Sequence, residues 1–475
     1  MKKIVSILTF ALLLSANDTT TDNLSLENAL QILKSQNLEI KNATLDVDVA
    51  RQDQKATKGI NWGKLDFVQN VARSNDAGNV FGFKLTSREA DFGDFGFSEF
   101  LGGIGGVMQQ SGGNFGTFSN IMGNPQAQQQ MLDTQPRDLN YPDAHNFFQS
   151  KLKYEVPLFT GFALQSYNEI MKAMVRMKSL EKEKVVHEKI YELRKSYYDM
   201  ALLESSIANL SKILHNIEVL EHTTKTMIEV GYAKHVDLLE VQAKKGNVER
   251  LLGQMKANEQ LLYHYISFLL NRKVEHIQVP TEQVPMPELT NTQVLQNNID
   301  IKRAKTGLAI RKNMIKVSQA SYYPTVGAFA EIATADDTFL GDASDHKAYT
   351  VGARLTWNLF NGGIDKSKIE KAKIEHLKTQ AQVELAQKGI ALQLAKIKTE
   401  IQSSDDEIAS LEKELALANA IYESYEARYK EQLVSMSDVI IKQSAQIQKV
   451  LQLQVAKNKR NKQVFALEKL ANGDY

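Results

Sequence analysis

The sequence predicts a mainly α-helical chain joined to a membrane β-barrel, and three observations carry that expectation. The stretch between Pro157 and Pro280, and all of the chain after Pro324, contain no proline and are rich in Ala, Leu, Lys, Glu and Gln. That is the composition of long helices. Ahead of each block stands a segment in which apolar and polar residues alternate strictly, the mark of a strand with two unlike faces. The two halves of the chain are also copies of one another.

The first residues read as an export signal over 1–16: Lys2 and Lys3 make a basic start, Ile4 to Leu14 an apolar run, and Ser15-Ala16 a small-residue exit. No later stretch reaches the roughly 20 apolar residues of a spanning helix, so a hold on the membrane would have to be made by strands. With no cysteine there is neither a disulfide framework, nor a thiolate metal site, nor an N-terminal lipid anchor. Basic and acidic residues number 57 and 56, a net charge of +1, which leaves no electrostatic footprint for nucleic acid.

Residues 17–60 are expected to hold the N-terminal helices of the first repeat, and 61–160 its β-hairpin. One strand of that hairpin is the weak pattern Leu65 to Arg73. The other is stronger, with Leu152, Tyr154, Val156 and Leu158 alternating with Lys151, Lys153 and Glu155. Between them, Phe81, Phe83, Phe92, Phe95, Phe97, Phe100, Phe115 and Phe118 are scattered among the glycines from Gly78 to Gly123. Such composition resists a packed helix and predicts a long loop at the hairpin tip, either a surface loop or a lid over a barrel mouth.

Residues 161–275 form the first long helical hairpin. Val186, Ile190, Leu193, Tyr197, Met200, Leu203, Ile207, Leu210, Leu214 and Ile217 recur at steps of three and four, close to the coiled-coil period. The stretch Glu229 to His235 breaks it: Gly231 suits the positive φ of a helix end, and Asp237 the first turn of a new helix. An arm of about 70 residues would be on the order of 100 Å long. A linker follows over 276–290 with Pro280, Pro285 and Pro287, then a helix over 291–320 and a second β-hairpin over 321–361. Val326 to Ala333 is its weaker strand. In the other, Tyr349, Val351, Ala353, Leu355, Trp357 and Leu359 alternate with Thr350, Gly352, Arg354, Thr356 and Asn358. The second long hairpin, 362–475, repeats the period at Ile408, Leu411, Leu415, Ala418, Tyr422, Tyr425 and Tyr429, and breaks between Glu431 and Ser437, ahead of Asp438.

The duplication is explicit. Leu158-Phe159-Thr160-Gly161 corresponds to Leu359-Phe360-Asn361-Gly362, and Asp237-Leu238-Leu239 to Asp438-Val439-Ile440, 201 positions apart in both cases. Upstream, Asn37 to Ala43 matches Asn298 to Ala304, 261 positions apart, so the first copy carries about 60 extra residues. Four strands cannot close a barrel, since the smallest has about eight; three chains would supply twelve.

These features together resemble the outer membrane efflux protein (TolC-like) family. The resemblance covers the chain after the export signal and rests on the duplication, on the strand ending in Trp357-Asn358-Leu359-Phe360-Asn361-Gly362-Gly363, and on the Asp-containing breaks. It implies a homotrimer in the outer membrane of a Gram-negative cell, with a twelve-stranded barrel in lipid and long helical hairpins forming an α-barrel tunnel. An equatorial belt from the termini and linker, and a closed periplasmic tip, are implied with it. So are partners: a periplasmic adaptor with an inner-membrane pump, or an ABC exporter of a type I secretion system. The tip would be formed by Gly231, Tyr232, Lys234, His235, Asp237, Glu240, Gln432, Leu433, Ser435 and Asp438. Leu158, Phe159, Gly161, Leu359, Phe360, Gly362 and Gly363 would make the strand-to-helix turns. The chain departs from the family pattern at three places: Gly63 stands where Pro324 stands in the second copy, Gln432 where the first copy has Gly231, and Ile441 where it has Glu240.

No enzyme is expected. The nine histidines form no i, i+4 ligand pair, no glycine-rich phosphate loop precedes a helix, and neither cofactor nor metal is implied. Asp237, Glu240 and Asp438 have two readings. Brought towards a threefold axis they would form a cation-selective constriction; as residues of a first helical turn they would stabilise the helix end. The alternative for the whole chain is a periplasmic coiled-coil adaptor or scaffold without a barrel.

Overall fold

A computed structural model describes residues 23–280, 284–341 and 345–472; the export signal over 1–16 lies outside them. In chain order the elements are α1 (Leu26–Gln36), α2 (Leu38–Gly59), β1 (Lys64–Ser74), α3 (Ala77–Ser87), α4 (Phe97–Gln110), α5 (Phe115–Met122), α6 (Pro125–Leu132), α7 (Arg137–Asn140), β2 (His145–Thr160), α8 (Ala163–Glu229) and α9 (His235–Leu270). The second copy follows as α10 (Asn291–Asn297), α11 (Ile299–Gln319), β3 (Thr325–Asp336), β4 (Lys347–Thr356), α12 (Ile364–Lys430) and α13 (Met436–Ala471). The chain groups into two compact units, one of residues up to 52, 170–312 and from 374 onward, the other of 53–169 and 313–373.

In the first unit the duplication holds to the residue. Helices α8 and α12 have 67 residues each, and α9 and α13 have 36 each. The hairpin arms are therefore unequal. Each return arm is stopped by an asparagine in the left-handed region, Asn271 at φ 50° and Asn472 at φ 51°, one of the few non-glycine residues that adopt it readily.

Matching cores close the base of each hairpin. In the first copy Leu33, Leu193, Met200, Ile266 and Leu269 are buried together; in the second Val294, Leu394, Ile401, Leu467 and Leu470 take the equivalent places. Each core is tied by a buried asparagine. The Asn37 amide donates to the Leu269 carbonyl at 2.8 Å while its oxygen accepts from the Ile40 N–H; the Asn298 amide donates to Leu470 at 2.9 Å and accepts from Ile301. A third cluster joins the hairpins to one another through Leu210, Ile217, Val241 and Val248 of the first and Tyr422, Tyr429, Met436, Val439 and Ile447 of the second. Removing one such buried side chain to alanine costs about 2–5 kcal/mol.

The second unit is built on a sheet that, among the described residues, has four strands in the order β1-β2-β3-β4, all antiparallel. Its outer edges, on β1 and β4, have no partner strand among the described residues. The alternation expected for the last strand runs past its real end. Strand β4 stops at Thr356, opposite Thr325, because the next residue of β3 would be Pro324, which has no N–H to offer a ladder. Trp357 instead donates its indole N–H to the Tyr322 carbonyl at 3.3 Å.

The Gly/Phe-rich segment is not a loop. It forms α3 to α7, and side-chain caps overcome the poor helix propensity of glycine. Asp76 accepts from the Asn79 N–H, Asn114 from Thr117, and Asn124 from Gln126, with Pro125 opening α6. The phenylalanines pack on one another and on the sheet: Phe81 meets Phe95 edge-on at 5.3 Å, and Phe83 stacks on Phe147 of β2 at 4.3 Å.

Candidate gate and membrane surface

The two helical breaks are the same structure built from different residues. Helix α8 ends on Gly231, whose φ of 81° lets the Tyr232 N–H turn back to the Met227 carbonyl at 2.8 Å. At the second break Gln432 takes φ 62° without the freedom of glycine, and the Leu433 N–H reaches the Arg428 carbonyl at 2.9 Å. Helix α9 then opens at His235, and Asp237 in its first turn accepts from the Lys234 backbone N–H at 2.8 Å. Helix α13 opens at Met436 with a fuller reciprocal cap. The Ser435 hydroxyl accepts from the Asp438 N–H, and the Asp438 carboxylate accepts from the Ser435 N–H at 3.1 Å and from its hydroxyl at 2.6 Å. Those bonds favour the charged form and hold Asp438 below the usual carboxylate range.

Both aspartates therefore do the work of helix-end acids. The third acid does something else: Glu240 accepts from the Ser437 hydroxyl at 2.5 Å and so links the two breaks side by side. Tyr232, Lys234 and His235 are exposed and surround this link. The fold adds neighbours that the sequence pattern did not single out. Val230, Val236, Leu239 and Ile441 are all more than half exposed, as are Tyr232 and Leu433, which gives the end of the double hairpin an apolar collar around its acids. Helical periodicity assigns such residues to a core by default, and only the placement of the break turns them outward.

At the strand-to-helix turns, Leu158 is the residue skipped by a bulge between Pro157 and Phe159, and it projects with 62% exposure. Gly161 (φ 60°) is followed by Phe162 (φ 68°), which packs edge-on against Phe159 at 5.2 Å and Tyr323 at 5.7 Å. In the second copy Gly362 and Gly363 take φ 67° and 86°, and Leu359 and Phe360 stand exposed ahead of them. Each long helix is entered the same way. Thr160 accepts from the Leu164 N–H at 3.3 Å, and Asn361 from Asp365 at 3.4 Å.

Registration of the four strands sorts the sheet into two unlike faces. One carries Lys64, Asp66, Lys151, Lys153, Glu155, Glu331 and Arg354, linked by ion pairs such as Lys151–Glu331 at 3.2 Å. The other carries Leu65, Phe67, Val71, Leu152, Tyr154, Ile332, Tyr349, Val351 and Leu355, every one of them exposed. An apolar face of this extent, left bare on an open-edged sheet, marks a surface that meets lipid or another protein. Among the described residues no helix is long and apolar enough to cross a membrane.

Comparison with known proteins agrees with this geometry. The family model for outer membrane efflux proteins matches residues 291–473. A search of the curated proteins gives no match. Among solved structures, CusC superposes with a TM-score of 0.75 at 15% identity, covering 96% of this chain and 93% of its own. The CmeC outer membrane channel of Campylobacter jejuni gives 0.73 at 12% identity, with 95% and 86% covered. VceC, an outer membrane protein of Vibrio cholerae, gives 0.72 at 14%, with 94% and 96% covered. At such identities the likeness is one of fold.

Proposed function

We infer that the chain, a member of the outer membrane efflux protein family, is a passive outer-membrane exit channel, and the surfaces described above take their roles from that premise. Family members are trimeric and work with a periplasmic adaptor and an inner-membrane pump. The observation that carries the reading is the open-edged sheet with one charged and one apolar face. Three such sheets joined edge to edge would satisfy the unpaired strands, turn the apolar faces to lipid and enclose the ion-paired faces around water. A coiled-coil adaptor without a barrel has no use for such a sheet.

The helical breaks would then form the periplasmic end. Asp237, Glu240 and Asp438 from three chains would gather near the axis, and the exposed collar of Val230, Tyr232, Leu239 and Leu433 would meet the adaptor. Either an inner-membrane pump or an ABC exporter of a type I system is compatible with this end. Rings of carboxylates bind multivalent cations. The test is conductance of the purified trimer in a planar bilayer. Wild-type channels should be blocked by multivalent cations from the side of the breaks, and replacing Asp237, Glu240 and Asp438 together by Ala should weaken that block at least tenfold in an intact trimer. Unchanged block would remove these acids from the pore. Absence of any conductance, or a chain found wholly in the soluble fraction of the cell, would sink the channel reading itself.

A further inference from the structure

Where the inserted segment meets the sheet, Glu89 converges on two residues of a hairpin nearly 250 positions later in the chain. Glu89 lies two residues beyond the end of α3, Asp336 is the last residue of β3, and His346 immediately precedes β4. One ligand atom from each lies within 4.8 Å of the others. Asp336 is only 6% exposed, and its carboxylate is wrapped by the following turn, accepting from the Thr338 N–H at 3.3 Å.

Three further observations point to something missing among these groups. The Nδ1 of His346 lies 3.2 Å from the Ala335 carbonyl, and since a carbonyl only accepts, Nδ1 is the donor and Nε2 is the nitrogen open to a metal in the neutral ring. A backbone carbonyl on the far nitrogen is the usual arrangement behind a metal-ligating histidine. Secondly, Glu89 Oε2 and His145 Nε2 are both shut off from solvent without a hydrogen-bond partner, 3.5 Å from each other. Thirdly, carboxyl groups gather here. The carboxyl groups of Asp336 and Asp337 stand beside that of Glu89, and the nearby Lys84 ammonium is already bound by Asp94. Two carboxyl groups held together need either a shared proton or a cation between them.

We propose that Glu89, Asp336 and His346 bind a divalent transition-metal cation of the zinc type, which fastens the inserted helices to the outer ends of β3 and β4. Two carboxylates with one imidazole make a borderline donor set that suits such ions better than calcium or magnesium. Tetrahedral ligands about 2.1 Å from a zinc ion stand about 3.4 Å apart, so donors now within 4.8 Å would close by up to about 1.4 Å through side-chain torsions. His145 flanks Glu89, with its Nε2 3.5 Å from Oε2. The fastened segment lies over the charged face of the sheet, since Phe147, on which Phe83 stacks, shares that face with Lys151 and Lys153. Under the channel reading that face is the lumen, so the ion would set whether the segment stays in the mouth. Binding itself does not depend on that reading.

The experiment uses the full-length trimer, purified, stripped with chelator and titrated with Co2+ and then Zn2+. Expected are one Co2+ per chain with a visible ligand-field absorption, its displacement by Zn2+, and slower proteolysis between residues 90 and 140 when Zn2+ is present. Glu89→Gln, which keeps the side-chain volume, and His346→Ala should each weaken Zn2+ binding at least tenfold and abolish the protection. His376→Ala, on α12, should change neither. Heat-modifiable migration of each variant trimer confirms that it has folded. Absence of stoichiometric metal in the wild type, unchanged affinity in the folded Glu89→Gln trimer, or proteolysis indifferent to Zn2+ would overturn the proposal. Single-channel conductance is measured on the same metal-free preparation, so an empty site and a failed channel are distinguished.

Discussion

Gly161 and Gly362 occupy equivalent positions with φ of 60° and 67°, yet they are glycines for different reasons. A Cβ on Gly161 would come to 2.5 Å from the Ala320 carbonyl oxygen and 3.0 Å from Tyr323 Cβ, whereas one on Gly362 would meet nothing within 4 Å. Gly362→Ala should therefore cost only the left-handed penalty of about 1–2 kcal/mol, and Gly161→Ala at least about 1 kcal/mol more for the displaced backbone. Unfolding of the two variant trimers in one denaturant series checks the order; equal losses would refute the close approach. The same logic settles Gly63, which stands where the second copy has Pro324. Its φ of 69° and the Glu155 carbonyl, 2.1 Å from where a Cβ would sit, exclude proline and every other side chain there. Glycine at these places was legible in the sequence. The contact that demands it was not, because at Gly161 the crowding oxygen comes from a residue nearly 160 positions away.

At the scale of elements, the helical arms followed from period and composition, and the breaks from Gly231, Asp237 and Asp438. The inserted helices did not follow. Their phenylalanines are spaced without a clear helical face, and the information lies in three short side-chain caps and in contacts with β2. The antiparallel packing of α8 on α9 can be probed by pH. Glu221 is held down to about 2 by the Lys225 ammonium, with the Gln242 amide at 3.2 Å and Lys245 at 3.3 Å adding to it. A carboxyl depressed in the folded state contributes stability above its unfolded value of about 4.3 and loses it as the pH falls through the folded one. Between about pH 4.5 and 2 the wild type should thus lose stability that Glu221→Gln never had, and melting curves of the two should converge as the pH drops. Curves that remain parallel would show that these contacts contribute nothing.

For the whole molecule, the two-faced sheet gives the sharpest test, helped by a chain with no cysteine of its own. With Arg354 on the same face as Glu331 and Lys153, and Leu355 on the opposite one, single cysteines at 354 and 355 report opposite environments. A charge facing hydrocarbon at mid-depth costs a barrel about 2–4 kcal/mol, so the charged face should be the wet one. In outer-membrane vesicles an impermeant maleimide should label Arg354→Cys readily and Leu355→Cys poorly; preferential labelling at 355 would invert the sheet. The alternation behind this assignment was visible in the sequence. The place where β4 ends was not, since it depends on Pro324 lying opposite. The approach of Glu89 to Asp336 and His346 was equally hidden, because only the fold brings it to a hairpin nearly 250 positions away.

The exact match of the hairpins, 67 and 36 residues in each, makes them a shared ruler. One residue inserted into a single arm would raise that break by about 1.5 Å and turn the helix by about 100° relative to its neighbour. The bond from Ser437 to Glu240 would part, and Tyr429 and Met436 would lose their seats against Val241. Tolerated changes of length between the base cores and the breaks should therefore arrive as a heptad in each of α8, α9, α12 and α13. A lone heptad in one hairpin is an error of about 10 Å that nothing else in the molecule can absorb.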